Sequence, residues 1–506
     1  MSGQARLSTT QKVLEGILQE RPPADLLARR SYYPWLVVGT VCIGAFMGQL
    51  DASIAQLVLP VLERDFHRHL SAISWVAIAY TLTLAVLLPV FGRVADLYGR
   101  KMLYTIGFLV FILGSGLCGI APDLNFLVGF RIFQAIGAAL LQTNSIAIVV
   151  TAAGERHRGR AIGMQAAAQA VGLSAGPAVG GFLIHALSWR WVFWINVPFG
   201  LAGAIVGWFV LPQSAAYLGN RQFDWRGVLL LAPALTALVL AIDQGHVWGV
   251  LSPVFLCCII APALLLPLFL WWECRQRAPL LNLDLFRQHA FWAGNIAGLL
   301  SYAMLFGMFF LMPFVFERAY HEGPLIAGLR LMVIPVGLGL LSPLSGALYD
   351  RIGPRLLTGT GMAVSFFAFV WLILAMGPTS ASLMPITAAL ALFGVGQGLF
   401  TSPNNSSVMA AAPEIHVGQA GGILNVTRSF GTSLGVAAAA ALLSWLLGMM
   451  TGRVGDTLGA PATALLAASH YVLVMFCVFA LVAGILSWAR PHGTQSKSNA
   501  EEGAIL

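Results

Sequence analysis

The chain has 506 residues, of which 58% are hydrophobic and only 9% are charged, and its formal net charge is +8. Soluble proteins have about 25% charged residues, so this composition excludes an ordinary soluble domain and indicates a membrane protein. The positive charge does not indicate a nucleic-acid partner, because the lysines and arginines are distributed over alternate short loops rather than gathered on one basic domain.

Apolar runs of about twenty residues follow one another along the chain, and each is long enough to cross about 30 Å of hydrocarbon. Backbone groups in lipid must find partners within their own segment, so each run is predicted to be a helix. We therefore predict an all-α membrane protein with fourteen transmembrane helices. The predicted helices cover residues 35–61, 72–92, 102–121, 125–150, 160–184, 190–211, 227–245, 254–272, 291–315, 325–346, 356–377, 384–408, 419–447 and 470–489.

The distribution of arginine predicts the orientation of these helices. One set of alternate loops holds most of the basic residues, and the positive-inside rule places that set, with both termini, in the cytoplasm. Residues 1–30 show no cleavable signal peptide, so the first helix is expected to direct insertion. The predicted location is a bacterial plasma (inner) membrane, crossed many times.

A repeat divides the helices into two halves. Residues 92–101 recur as residues 346–355, and residues 159–176 recur as residues 418–435. Parallel repeats are typical of transporters that rock about a central site. We predict a cytoplasmic tail over residues 1–34, six-helix bundles over 35–211 and 291–489 related by a pseudo-two-fold axis, an inserted two-helix linker over 212–290, and a cytoplasmic tail over 490–506.

Asp51 and Arg131 are ionisable residues inside predicted helices. They lie about ten and about six residues from the predicted outer face, which corresponds to depths of about 15 Å and about 9 Å. Charged groups are costly in a membrane and usually mark a path for ions or solutes. The pair is interpreted either as a proton switch, in which a moving arginine loads and unloads the acid, or as a static ion pair that fixes helix packing. Asp243 and Glu317 are expected at the membrane interface instead, which favours few protons per cycle.

Several motifs together resemble the major facilitator superfamily. They are the repeated basic loop, residues 131–134 in helix 4 and the glycine-rich residues 172–181 in helix 5. Residues 50–60 and 189–200 are similar, more narrowly, to the fourteen-helix drug:proton antiporter family of the multidrug efflux type. The resemblance covers most of the chain and implies proton-coupled export by alternating access. It also implies that Asp51 and Arg131 take part in proton coupling.

The resemblance assigns roles to two further motifs. The repeated loops would form an inner gate in which Asp96 faces the N-terminal end of helix 13, although an ordinary basic loop would have the same composition. The helix 5 motif would support antiport by sealing the interface of helices 2 and 5, although close packing alone explains small residues there. The gating residues are Gly92, Arg93, Asp96, Gly99, Arg100, Asp350 and Arg351, and the helix 5 residues are Gly172, Gly176, Pro177, Gly180 and Gly181.

Polar and aromatic side chains within the helices predict a mixed cavity for amphipathic ligands. Each of them is alternatively a hydrogen-bonding partner for a neighbouring helix. Arg428 in helix 13 either binds a substrate anion or extends its head group to the membrane surface. The candidate cavity residues are Gln56, Tyr80, Gln134, Gln142, Tyr302, Phe306, Gln397, Asn404 and Arg428.

An enzyme is not expected. Two matches to the G-x-S-x-G pattern lie within apolar helices, whereas a hydrolase needs a strand-to-helix turn there. The chain has no phosphate-binding loop, and its six cysteines have no metal-ligand spacing, so a proton gradient is the expected energy source without cofactor or metal.

We predict a proton-coupled exporter of hydrophobic or amphipathic, cationic drugs or toxic compounds. It is expected to act as a monomer in the lipid bilayer, and any adaptor would be a separate protein. The alternatives are an exporter of an endogenous lipid, siderophore or metabolite, and a membrane receptor or scaffold that keeps the fold without transport.

Overall fold

A computed structural model describes residues 23, 30–213, 224–248, 252–276, 283–377, 383–412, 417–452 and 459–489. The described residues form helices and no strand. Within them, 14 helices are long and apolar enough to cross a membrane, which confirms the predicted all-α fold. These spans are α1 Tyr33–Leu57, α2 Leu70–Leu88, α3 Arg100–Gly119, α4 Leu124–Gly154, α5 Ala167–Ala186, α6 Trp191–Val210, α7 Trp225–Ile242, α8 Pro253–Glu273, α9 His289–Ala319, α10 Pro324–Tyr349, α11 Pro354–Ala375, α12 Leu383–Ala410, α13 Ala420–Thr451 and α14 Ala462–Trp488.

Helical structure continues beyond several spans. The helix of α2 runs on to Tyr98, and α4 and α5 belong to one run, Leu124–Ala186, in which only Gly154 leaves helical geometry, with φ 67°. The last turn of α9, Val315–Ala319, is π-helical and follows Pro313. Proline lacks the backbone donor of a regular turn, and π-helical turns are often found at functional positions.

The repeated basic turns have the same backbone geometry in both halves. Gly99 follows the helix of α2 with φ 103°, and Gly353 follows the helix of α10 with φ 81°. Side chains other than glycine are strained in this region, so glycine allows the chain to reverse and begin the next helix at once. The sequence repeat therefore corresponds to a repeated turn.

Small residues bring helices within each half close together. A β-carbon at Gly137 of α4 would overlap the backbone of Phe111 in α3, and one at Gly435 of α13 would overlap the backbone of Ala303 in α9. Association of helices in lipid depends on such close packing, since lipid provides no hydrophobic driving force between helices.

The two halves meet at the end of the molecule that is predicted to face outward. A β-carbon at Gly181 of α5 would overlap the carbonyl oxygen of Pro324 in α10, and one at Gly328 of α10 would overlap that of Pro177. α2 packs on α13, and the inserted helix α7 contacts both of them. The residue limits given for the two bundles and the linker stay predictions.

Gly137→Ala is expected to destabilise the protein, because the added methyl group must displace backbone atoms of α3, and overpacking typically costs about 1–3 kcal/mol. The midpoint of thermal unfolding in detergent measures this effect. Gly129→Ala, in the same helix, is the matched control because a β-carbon there has open space around it. Equal midpoints for the two variants would show that the α3–α4 crossing is not tightly packed.

Candidate functional site

The structure brings Asp51 of α1 and Arg131 of α4 together in the interior of the N-terminal half. Arg131 Nη1 donates to Asp51 Oδ2 at 2.7 Å, and each residue is 1% exposed. A buried ion pair needs further hydrogen bonds to offset the loss of hydration of both charges. The surroundings of the pair provide several.

Three donors surround the carboxylate of Asp51. Besides Arg131, Gln134 Nε2 donates to Asp51 Oδ1 at 2.9 Å, and Asn196 Nδ2 donates to the same oxygen at 2.9 Å. Gln134 Nε2 also donates to Ser115 Oγ at 2.7 Å, which connects α3 to the network. The Asp51 site therefore joins α1, α3, α4 and α6.

The guanidinium of Arg131 is held on several sides. Its Nε donates to the carbonyl oxygen of Val76 at 3.1 Å, and Nη1 donates to Gln134 Oε1 at 2.6 Å. Its central carbon lies 4.0 Å from the ring centroid of Tyr80, close enough for a cation–π interaction. Val76 and Tyr80 belong to α2, so Arg131 links the acid on α1 to a helix that packs on the other half.

These contacts determine what the site can do chemically. In all three hydrogen bonds described for the Asp51 carboxylate its oxygens are the acceptors, and the donors belong to Arg131, Gln134 and Asn196. A proton bound to Asp51 would compete with these donors and remove the charge that attracts Arg131. Proton binding and the ion pair are therefore mutually opposed, which is the property a proton switch requires.

Sequence reasoning missed two members of this site. Asn196 is completely buried, but it stands among tryptophans that suggest the membrane interface, and Ser115 is a small residue in an apolar run. Gln134 was assigned to the substrate cavity and instead contacts Asp51. The position of Gln134 three residues after Arg131 was the available signal, because residues at that spacing share a helix face.

The atoms nearest to the glycines of the helix 5 motif belong to α1 and α10. β-carbons at Gly172 and Gly176 would overlap Phe46 and Ser53 of α1, and Gly181 lies against α10. The expected interface of helices 2 and 5 is therefore corrected to α1 and α10. Small residues let α1 and its buried acid approach α5 closely.

The gating residues are only partly described. The side chains of Arg93, Asp96, Asp350 and Arg351 lie outside the described part of the structure. Arg100 is half-buried. The backbone of Gly92 is helical, and Gly99 has the positive φ of a tight turn, both as expected. The gating role stays a prediction.

The candidate cavity residues differ in accessibility. Gln142, Tyr302 and Arg428 are half-buried, and the guanidinium carbon of Arg428 lies 4.7 Å from the ring centroid of Tyr302. Gln397 accepts a hydrogen bond from Ser301, and the side chains of the remaining candidates are also buried in this conformation. The buried candidates are Gln56, Tyr80, Gln134, Phe306, Gln397 and Asn404.

An ion pair joins the two halves at the predicted outer end. Arg318, in the π-helical turn of α9, lies 3.9 Å from Glu63 and donates to the carbonyl oxygen of Pro60. Glu63 lies in the short helix Leu59–Phe66 that follows α1. The side chains are 11% and 1% exposed for Arg318 and Glu63, so water screens the pair less than it would at a surface. We call Glu63, Arg318 and the Pro60 carbonyl the outer latch.

A family model described as Major Facilitator Superfamily matches residues 41–436. The chain belongs to the major facilitator superfamily. Members of this superfamily are transporters, so the chain is a membrane transporter of small molecules and not an enzyme. The resemblance to exporters of the multidrug type is also confirmed, because multidrug resistance proteins are among the relatives.

Relatives in the superfamily have different names. The chain is 33% identical over 405 residues to a riboflavin transporter of Clostridioides difficile, a match covering 80% of this chain and 87% of the relative. It is 32% identical over 408 residues to the multidrug resistance protein Stp of Mycobacterium tuberculosis, covering 80% of this chain and 75% of the relative. It is 28% identical over 424 residues to the tetracenomycin C resistance and export protein of Streptomyces glaucescens, covering 84% and 77%.

Solved structures share the fold. A bacterial homolog of the human lysosomal transporter Spinster, crystallised in an inward-facing conformation, superposes with a TM-score of 0.65 at 15% identity. The superposition covers 91% of this chain and 97% of that chain. At this identity the likeness concerns the fold alone.

Arg131→Met is expected to lower the unfolding midpoint more than the double variant Arg131→Met with Asp51→Asn. The single variant leaves a buried carboxylate without its counter-charge, and breaking a buried pair in this way typically costs about 3–5 kcal/mol. Thermal unfolding in detergent compares the two variants. If the double variant is no more stable than the single one, the charge balance does not determine the stability of this site.

Arg318→Gln is expected to open the predicted outer end, because it removes the charge that attracts Glu63. The measurement is the rate at which a membrane-impermeant thiol reagent, added from outside, labels Gln56→Cys in a chain whose six native cysteines are replaced. Gln56 lies one helical turn from Pro60 and is buried, so the rate should rise severalfold. Arg287→Gln, at an exposed arginine, is the control. An unchanged labelling rate would refute a role for the latch in closure.

Proposed function

We propose that the chain is a proton-coupled exporter of amphipathic small molecules in a bacterial inner membrane, working by alternating access. The buried Asp51–Arg131 pair carries the proposal. An acid that is kept inside a membrane protein at this cost, with a counter-charge beside it, is the type of group that proton-driven transporters use. The export relatives support the direction of transport.

The cycle begins in a state closed at the outer end with Asp51 ionised. Substrate enters from the cytoplasmic side or the inner leaflet, and the outer latch then separates. A proton from outside binds Asp51, removes its attraction for Arg131 and favours release of the substrate. The halves return to the first state, and the proton leaves Asp51 toward the cytoplasm.

Helix α1 connects the proton site to the movement of the halves. It carries Asp51, lies against the glycines of α5, and leads through Pro60 into the outer latch. A small shift of α1 on loss of the Arg131 contact would therefore act on the contact between α5 and α10 and on the outer latch. This connection supports coupling of the two events through one helix.

The chemical class of the substrate is the finer part of the proposal. Cationic drugs stay a prediction, and the buried acid that would attract a cation is already paired with Arg131. A second candidate is a vitamin-like metabolite, which the riboflavin transporter among the relatives favours. A monomeric state and a separate adaptor also stay predictions.

Asp51→Asn is expected to abolish transport driven by a pH gradient, because asparagine keeps the shape and an acceptor oxygen but cannot carry the proton. The test uses proteoliposomes with an imposed pH gradient, a panel of drugs and riboflavin, and measures substrate movement and proton flux together. Asp123→Asn is the matched control, since Asp123 is an exposed acid that caps α4 and asparagine caps helices equally well.

Gradient-dependent transport retained in Asp51→Asn would refute proton coupling at this residue. Transport of riboflavin without transport of drugs would favour the second candidate. Substrate binding without movement of any panel compound would favour a receptor.

A further inference from the structure

Tyr302 lies on α9 between the side of that helix that faces α12 and the side that faces α13. Ser301 donates to Gln397 of α12 at 2.5 Å, and Leu299 lies against Gly431 of α13. Successive residues on a helix are separated by about 100°, so Tyr302 falls between the α12-facing and α13-facing sides. Neither neighbour covers the Tyr302 ring completely, and the residue is half-buried. α9 also contacts α1 of the other half.

Arg428 lies against this ring from α13. The α13 span begins at Ala420, so Arg428 is about 12 Å along it, which is well inside the span. Its guanidinium carbon is 4.7 Å from the centroid of Tyr302, which itself is about 20 Å along α9 from His289. The head group is therefore held inside the span and is not extended to the inner surface, which disfavours snorkelling.

Among the described residues no carboxylate lies at ion-pair distance from Arg428, whereas three other arginines of the described spans each have one. Arg131 has Asp51 at 2.7 Å, Arg318 has Glu63 at 3.9 Å, and Arg330 has Glu322 at 2.7 Å. An unneutralised guanidinium at this depth is costly, and a cation–π contact with a partly exposed tyrosine compensates only part of that cost. The balance favours an anion supplied from outside the chain.

We propose that Arg428 and Tyr302 form a substrate subsite for planar aromatic compounds that carry a negative charge. Guanidinium groups bind carboxylates and similar oxyanions with two parallel hydrogen bonds, and an aromatic ring beside the cation provides a stacking surface for the substrate. The proposal rests on the export function and specifies its substrate class. The substrate proposed here is an anion, whereas the sequence led us to expect cationic drugs.

The test compares two xanthene dyes with similar ring systems and opposite charges, fluorescein as the anion and rhodamine 6G as the cation. Fluorescence anisotropy with purified full-length protein in detergent measures their dissociation constants. The wild-type protein should bind fluorescein at least tenfold more tightly, and Arg428→Gln should lose this preference. Arg428→Lys should retain part of it, because it keeps the charge and loses the planar fork. Tyr302→Phe should bind like the wild type, and Tyr302→Leu should bind more weakly.

Three outcomes would overturn the proposal: equal or reversed preference in the wild type, an unchanged preference in Arg428→Gln, or no detectable binding of fluorescein. Arg287→Gln, which changes an exposed arginine, should leave the preference intact. If the unfolding midpoint of Arg428→Gln is so low that the variant does not fold, the preference for fluorescein measured in Arg428→Lys decides whether Arg428 binds the anion. The binding assay needs no gradient, so it tests the subsite separately from transport. If the protein binds fluorescein but does not export it, the proposed export function is refuted and the proposed subsite is not.

Discussion

The buried ion pair between Asp51 and Arg131 is the interaction on which the rest of this account depends. In hydrocarbon a single unpaired charge would be strongly unfavourable, so the two residues require each other as long as both are charged. The donors from Gln134 and Asn196 complete the hydrogen bonding of the carboxylate. The attraction between the two residues exists only while both are charged, and the proposed cycle links the conformational change to the charge of Asp51.

The packing around α1 gives this local event a path to the whole molecule. Glycines in α5 allow α1 to approach it closely, and the same helix α5 meets α10 at the predicted outer end. The outer latch joins the chain after α1 to the end of α9. Contacts between close-packed helices of this kind tend to have discrete alternative arrangements rather than continuous deformation, which suits a transporter with two main states.

The sequence was most informative where a property has a large free-energy cost. The spans were predictable because about twenty apolar residues in a row are required to cross a membrane, and the pairing of Asp51 with Arg131 was predictable because neither charge is tolerated alone. The repeated turns at Gly99 and Gly353 were found from the repeat itself.

The remaining features depend on how helices are rotated and arranged, which residue types do not determine. Asn196 was missed, and Gln134 was assigned to the cavity, because a polar side chain in a helix is equally suited to a ligand and to a neighbouring helix. The partner of the α5 glycines was also wrong, since small residues permit close contact without specifying the helix that makes it.

The most direct test of the central claim is infrared difference spectroscopy of the carboxyl stretching band when substrate is added to the protonated protein. We expect substrate binding to remove a protonated-carboxyl band in the wild-type protein, and this band to be missing from the same experiment with Asp51→Asn. A wild-type spectrum without any carboxyl change, or an identical band change in Asp51→Asn, would contradict the assignment of the transported proton to Asp51.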